Sequence, residues 1–173
     1  MSIAIASNLA VTGERTLAAL QPGYSLFSRE VEAELLPTCR ELGITLGAYS
    51  PIGRALLAGG ITTDTAFGGD DLRSGNPRFS AANRAANLAL VDRLRALADE
   101  LGVTPAQLAL AWLLARGAVP IPGTTSLRHL ADNAAATAIT LTPEQLGQIT
   151  DLIPADAVQG ERLSPSAARW VGK

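Results

Sequence analysis

Three segments of this sequence place polar side chains directly after short apolar runs. They are residues 20–25, 48–54 and 119–126, and each contains glycine or proline and precedes a helical pattern. If the apolar runs are parallel strands, the three loops follow the carboxyl ends of those strands and lie on one face, where ligands bind in such folds. The sequence therefore predicts a shared site for one extended ligand.

The first loop offers an amide and an aromatic ring. Gln21 ends its strand with both a hydrogen-bond donor and an acceptor, and Tyr24 can supply a flat face. This pair suits a planar heterocycle that carries a carboxamide. Alternatively, Gln21 satisfies the loop backbone and Tyr24 packs against a helix.

The second loop has the parts of a phosphate site. It runs Ser50, Pro51, Ile52, Gly53 and Arg54. The backbone N–H groups of a glycine turn can approach an anion closely, and the arginine adds charge-assisted hydrogen bonds. Many strand–helix turns contain glycine and arginine, so this motif alone does not identify a ligand.

The third loop leads into a predicted helix. The unpaired N–H groups and the dipole at a helix start favour an anion, and hydroxyl side chains add hydrogen bonds. His129 and Asn133 would share a face of that helix. The candidate residues here are Gly123, Thr124, Thr125, His129, Asp132 and Asn133.

Composition narrows the class of protein. The formal net charge is −2 and 47% of residues are hydrophobic, which gives no electrostatic footprint for nucleic acid or for an anionic membrane. The only cysteine, Cys39, excludes an internal disulfide and a thiolate zinc site, and its helical apolar surroundings predict a packed hydrophobe. Neither a signal peptide nor a long apolar run is present, so we expect a cytoplasmic protein.

The elements alternate between strand and helix patterns, which predicts an α/β fold with about four parallel strands. Strands are predicted at residues 3–6, 44–49 and 119–121, while 16–20 is either helix or strand. The segment 59–79 is irregular, and 153–173 reads as a tail of a single domain spanning 1–173. Helices are predicted at residues 28–42, 82–101, 105–117, 126–134 and 142–152.

Six blocks of the sequence carry a family resemblance, and they are residues 21–26, 36–44, 49–54, 104–112, 119–124 and 130–133. Taken in order, they resemble the sequences of the aldo-keto reductase family. The resemblance extends from about Gln21 to about Leu152, with weaker similarity at both ends. It implies the C-terminal part of a TIM (β/α)8 barrel, an incomplete barrel in which the chain forms the second half.

The family reduces carbonyls with NADPH, and the resemblance assigns a loop to each portion of that cofactor. Gln21 would hold the nicotinamide carboxamide, with Tyr24 stacked on the ring, and residues 50–54 would line the pyrophosphate. The remaining assignments place Gly123, Thr124, Thr125 and His129 near the 2′-phosphate, Asp132 and Asn133 at the adenine, and Ser7 and Asn8 at the carboxamide.

The family's catalytic tyrosine, lysine, aspartate and histidine belong to the first half of its barrel. Here the only lysine is Lys173, the only histidine is His129, and both tyrosines, Tyr24 and Tyr49, match cofactor loops. The resemblance therefore implies an NADP(H)-binding portion without its catalytic tetrad, and no metal site. Alone, such a chain is expected to be a marginal monomer unless it dimerises, pairs with a separate first half, or rearranges into an open sheet. The alternatives are an inactive cofactor-binding or regulatory module and a truncated gene product.

Overall fold

The computed structural model describes residues 17–164 and residue 168. Within them a parallel sheet contains β1 (Ala19–Leu20), β2 (Thr45–Ala48) and β3 (Ala118–Pro120) in the spatial order β1-β2-β3. Ala19 pairs with Thr45, and Leu46 pairs with Ala118. Each crossover contains helix, as parallel strands require.

Five α-helices are described. They are α1 (Leu35–Glu41), α2 (Ala81–Glu100), α3 (Pro105–Ala115), α4 (Leu127–Ala135) and α5 (Pro143–Leu152). Short 3₁₀ turns lie at Glu30–Glu32, Leu56–Ala58, Pro77–Phe79, Ala136–Ala138 and Ala155–Ala157. Among these described elements, no helix combines the length and the apolar composition needed to cross a membrane.

The helix ends follow from the sequence. Thr104 and Thr142 each form a capping box with a glutamine three residues later, and proline follows each cap. Gly43 and Gly102 adopt positive φ angles of 66° and 69° just beyond α1 and α2, where a left-handed residue ends a helix. The predicted helices at 82–101, 105–117 and 142–152 are therefore confirmed.

The core lies between the sheet and α3. Leu46 and Ala118 are buried against a helix whose Leu108 and Trp112 are fully covered. Cys39 of α1 is also buried, which confirms its prediction as a packed hydrophobe, and burial raises the pKa of its thiol.

The predicted fold class is confirmed as a partial parallel α/β sheet. The ambiguous run at 16–20 forms β1 at its end, and 59–79 is irregular apart from the turn Pro77–Phe79. The predicted strand at 3–6 lies outside the described residues, so the structure describes three of the four expected strands.

A charged cluster joins three parts of the fold around Trp112. The guanidinium groups of Arg29 and Arg116 lie 5.7 Å and 4.9 Å from the centroid of its indole ring. Tyr24 meets the same ring edge to face at 5.5 Å. The indole Nε1 donates to Thr150 Oγ1 at 3.0 Å, so the cluster connects the first loop, α3 and α5.

Glu32 neutralises this cluster. Its carboxylate accepts from Arg29 Nη2 and from the Tyr24 hydroxyl, both at 2.9 Å, and lies 3.5 Å from Arg116 Nη2. Burial alone would raise the pKa of Glu32, but the bonds from Arg29 and Tyr24, with the charge of Arg116, hold it below its usual value. Burial and the adjacent Glu32 raise the pKa of Tyr24 well above its usual value.

The apolar side chains of α4 are not buried. Leu127 is 85% exposed and Leu130 is 56% exposed, and no residue of this helix is buried. Val119 and Ile121, at and just after β3, are 50% and 44% exposed. Successive side chains of a strand point to opposite faces, so Val119 lies on the face opposite to buried Ala118, and no layer covers that face within residues 17–164.

Glu32→Gln should lower the free energy of unfolding by about 2 kcal/mol at neutral pH, because two arginines and a tyrosine lose a charged partner. The lowered pKa means that the carboxylate stabilises the fold above its usual pKa and loses this effect as pH falls through the lowered value. The difference between variant and wild type should therefore shrink in acid. Urea unfolding at two pH values measures it. The control is Glu34→Gln at an exposed neighbour; equal losses in both variants would contradict the prediction.

The exposed edge at β3 should make the isolated chain self-associate, because an open strand with apolar side chains templates pairing. Val119→Lys should raise the dissociation constant of the self-associated form about tenfold, because the variant loses the valine side chain that the contact between two copies would bury. Light scattering after size exclusion measures the mass. Leu72→Lys is the matched control, at a residue 78% exposed in the 59–79 loop. A compact monomer of 17.9 kDa at all concentrations would refute the prediction.

Candidate functional site

The sheet brings the predicted loops to one edge. Tyr24 N donates to Tyr49 O at 3.3 Å and Tyr49 N donates to Pro22 O at 3.1 Å. These two backbone hydrogen bonds join the first loop to the second. Ile121 N donates to Ala48 O at 3.1 Å, which places the third loop on the other side of the second. The Tyr49–Arg54 loop is therefore the central one.

A narrow cleft lies where the first two loops meet the end of the chain. Its cationic wall consists of Arg54, Arg78 and Arg162, and no carboxylate lines it. Burial lowers the pKa of Arg78, whose Nη1 donates to Ser28 Oγ at 2.8 Å. A cleft with several cations and no lining carboxylate suits an anionic ligand. The other walls include Gly23, Tyr49, Ser50, Gly53 and Asn76.

The central loop is held in an uncommon backbone conformation. Ser50, Arg54 and Ala55 have φ angles of 51°, 56° and 70°, in the left-handed region that few residues other than glycine adopt, and Gly53 lies at 58°. Arg54 Nη1 donates to Leu72 O at 3.2 Å, which ties this loop to the 59–79 segment. Clustered strain of this kind is typical of ligand-binding loops.

Two residues of that loop face inward. Pro51 is buried, and the side chain of Ile52 packs against the hydrophobic core. Either residue can therefore reach a ligand through its backbone and not through its side chain. Ser50, Gly53 and Arg54 are half-buried and line the cleft.

The 59–79 segment is ordered by aromatic and charged contacts. Phe67 lies between the guanidinium groups of Arg73 and Arg84, at 4.6 Å and 5.3 Å. Arg73 also pairs with Asp71 and lowers the pKa of that carboxyl to about 2. In the part of the chain that the structure describes, no cluster of histidine, cysteine and carboxylate side chains could hold a metal ion.

Tyr24 occupies a different place from the one predicted for a stacking ring. It is fully buried, its ring packs on Trp112, and its hydroxyl donates to Glu32. The alternative, in which Tyr24 packs against a helix, describes this structure. Tyr49, one residue beyond β2, is the half-exposed tyrosine of the cleft.

Gln21 is exposed beside the sheet. A Cβ placed on Gly47 would lie 3.7 Å from its Cγ, which is an ordinary contact across the strand ends. The amide of Gln21 is thus available on the face that carries the exposed residues of β3. Ser7 and Asn8, the second predicted carboxamide pair, lie outside the described residues.

The third loop and α4 form a separate exposed surface. Ser126 caps the helix by accepting from His129 N at 3.4 Å, and Thr124 Oγ1 accepts from Ser126 N at 3.1 Å. Gln107 Nε2 donates to Asp132 O at 3.2 Å and fastens α4 to α3. Of the predicted residues here, Gly123, Thr124, Thr125 and His129 are exposed, and Asp132 and Asn133 are half-buried.

Most residues that line the cleft were not among the predicted site residues, and three of them, Tyr49, Arg78 and Arg162, bear on its chemistry. Tyr49 was within the second loop and could have been found from its position at a strand end. Arg78 and Arg162 could not, because they come from the 3₁₀ turn Pro77–Phe79 and from the tail. The tail reaches the cleft because residues 159–162 bond to the start of α2 and the preceding turn. Gln159 N donates to Asn87 Oδ1 at 2.9 Å.

Comparisons with known proteins agree on one family. The Aldo/keto reductase family model matches residues 2–154. The probable aldo-keto reductase 1 of Glycine max is 40% identical over 148 residues, which cover 84% of this chain and 42% of that protein. The chain therefore spans less than half the length of this relative.

Solved structures show the same relation. The glycerol dehydrogenase AKR11B4 from Gluconobacter oxydans superposes with a TM-score of 0.78 at 29% identity, over 89% of this chain and 47% of that one. The thermostable aldo-keto reductase Tm1743, solved with the inhibitor epalrestat, superposes with a TM-score of 0.63 at 25% identity, over 88% and 46%. The chain therefore belongs to the aldo/keto reductase family, as the family model over residues 2–154, the parallel strands and these superpositions together show.

Proposed function

We propose that this chain is the NADP(H)-binding portion of an aldo-keto reductase-like oxidoreductase. The observation that carries the proposal is the position of the loop after β2, which lies between a cation-lined cleft on one side and the loop leading to the hydroxyl-rich start of α4 on the other. A nicotinamide dinucleotide is an extended polyanion, so it can span both loops. In the family, the bound cofactor supplies the hydride that reduces a carbonyl.

The residues present fit such a ligand. The central loop combines the Arg54 guanidinium with left-handed backbone at 53–55, and this arrangement offers donors and no carboxylate. Gly123 has open space around its Cα, so an anion can approach the backbone there. The Thr125 hydroxyl is exposed next to it.

We assign the portions of the cofactor along this edge. Gln21 would hold the carboxamide, Ser50 to Arg54 the pyrophosphate, and Asp132 with Asn133 the adenine. Gly123, Thr124, Thr125 and His129 would sit near the 2′-phosphate. In place of buried Tyr24, half-exposed Tyr49 would present its ring to the nicotinamide.

Under this proposal the chain binds the cofactor and the catalytic residues come from elsewhere. The only lysine is Lys173 and the only histidine is His129, on α4, so a family-type tetrad would have to come from residues beyond this chain. Loss of a general acid costs roughly 10² to 10⁴ in rate. A separate first half or another copy of the chain would cover the exposed side of β3. We treat 1–173 as one domain of this assembly.

NADPH should bind saturably to the chain, and Arg54→Met and Asn133→Ala should each weaken binding about tenfold by removing a polar contact to the ligand. Cofactor fluorescence titration measures the dissociation constant. Arg93→Met is the matched control, because Arg93 is exposed on α2 outside the cleft lining. A truncated product without a site predicts no saturable binding, and that result would reject the proposal.

His129→Ala should reduce the affinity for NADPH severalfold and leave that for NADH unchanged, because the imidazole is assigned to the 2′-phosphate, which NADH lacks. Parallel titrations with both cofactors measure the ratio. Equal weakening of both would place His129 elsewhere in the site. Arg93→Ala on α2 serves as the control, because Arg128 is unsuitable: its Nη2 lies 3.4 Å from His129 Nε2.

A further inference from the structure

Arg162 closes the cleft over the tyrosine that lines it. Its guanidinium donates to the Tyr49 hydroxyl and lies over the ring, 5.5 Å from the centroid. A Cβ added at Gly23 would collide with Arg162 Nη1, so the guanidinium fills the space between the first and second loops.

The backbone that carries Arg162 is firmly attached. Asn76 Nδ2 donates to Arg162 O at 2.8 Å, and Asn87 bonds both the N–H and the C=O of Gln159 at 2.9 Å. Gly160 has φ of 86°, and a Cβ there would lie 2.8 Å from the backbone of Pro77. The segment is therefore fixed, and the long side chain of Arg162 is the part that can rotate.

The closed cleft has no room for a planar ring. Its free volume is about 20 Å³, which is about the space of one water molecule. A nicotinamide ring that packs on the cleft side of Tyr49 would need the position that the guanidinium holds. The two groups compete for one aromatic surface.

The contacts that hold the guanidinium are weak enough to exchange. No carboxylate forms a salt bridge with Arg162 among the ion pairs of residues 17–164. The like charge of Arg162 also acts on Arg78 in the adjacent wall. One hydrogen bond and one exposed cation–π contact each contribute a modest amount.

We propose that Arg162 is a self-occluding side chain, which occupies the nicotinamide position on Tyr49 and must rotate away before the dinucleotide binds fully. The inference rests on the proposed function. It means that the apparent affinity is reduced by the fraction of molecules in which the cleft is closed. Removing a cation from the cleft should then strengthen the binding of a polyanion, the opposite of what charge alone predicts.

The experiment compares two ligands and three proteins. Arg162→Met should bind NADPH about tenfold more tightly than wild type, since one hydrogen bond and one cation–π contact no longer compete. Tyr49→Phe keeps the ring and removes the hydroxyl that Arg162 bonds, so it should tighten NADPH binding by a smaller factor. Adenosine 2′,5′-bisphosphate lacks the nicotinamide, so its affinity should not increase in either variant.

The outcomes separate this inference from the proposed function. If neither ligand binds the wild-type chain, the proposed function fails. If both bind and Arg162→Met leaves NADPH affinity unchanged or weakens it, self-occlusion is wrong and Arg162 acts as an ordinary cationic contact. Tighter binding of both ligands would also reject the inference, because the effect would not be confined to the nicotinamide position.

Discussion

The carboxylate of Glu32 is the constraint on which the arrangement of this structure depends. Two guanidinium groups pack against the indole of Trp112, and without Glu32 they would share a partly buried site with no counter-charge. A charge taken out of water is costly unless it is paired. By pairing with Arg29 and Arg116 and accepting from Tyr24, Glu32 joins the first loop to α3 and α5. The same contacts fix the backbone that carries Gln21 toward the strand ends.

This cluster explains how part of a barrel can organise a strand-end surface. Leu46 and Ala118 pack on α3 within the chain's own core, and the three loops emerge from strands that are supported on that side. The opposite side has no such support within the described residues, which is why Val119 and Leu127 remain exposed. Support for the strand-end loops and closure of the sheet are thus physically separate requirements.

The sequence predicts the features that depend on local chemistry. Thr104 and Thr142 cap helices because their hydroxyls and the following glutamines lie at fixed spacing. Gly43 ends α1 because glycine adopts a left-handed backbone conformation without the steric cost of a Cβ. The prediction of Tyr24 as a stacking ring does not fit its burial, because the first loop alone cannot reveal that Tyr24 packs on Trp112, 88 residues later. Arg162 was missed for the same reason, since its contact with Tyr49 spans 113 residues.

Burial gives Tyr24 and Tyr49 different roles, although both lie at the same end of the sheet. Tyr24 and Tyr49 have adjacent backbones, joined by a hydrogen bond of 3.3 Å, yet their rings point to different environments. The Tyr24 hydroxyl donates to Glu32, and burial together with the adjacent carboxylate raises its pKa, so it holds its proton more tightly than usual. The Tyr49 ring instead faces a guanidinium that no carboxylate in the cleft lining neutralises. A cation without a salt bridge among residues 17–164, on a half-exposed ring, is a contact that a ligand can exchange, whereas the buried pair is one that holds the fold.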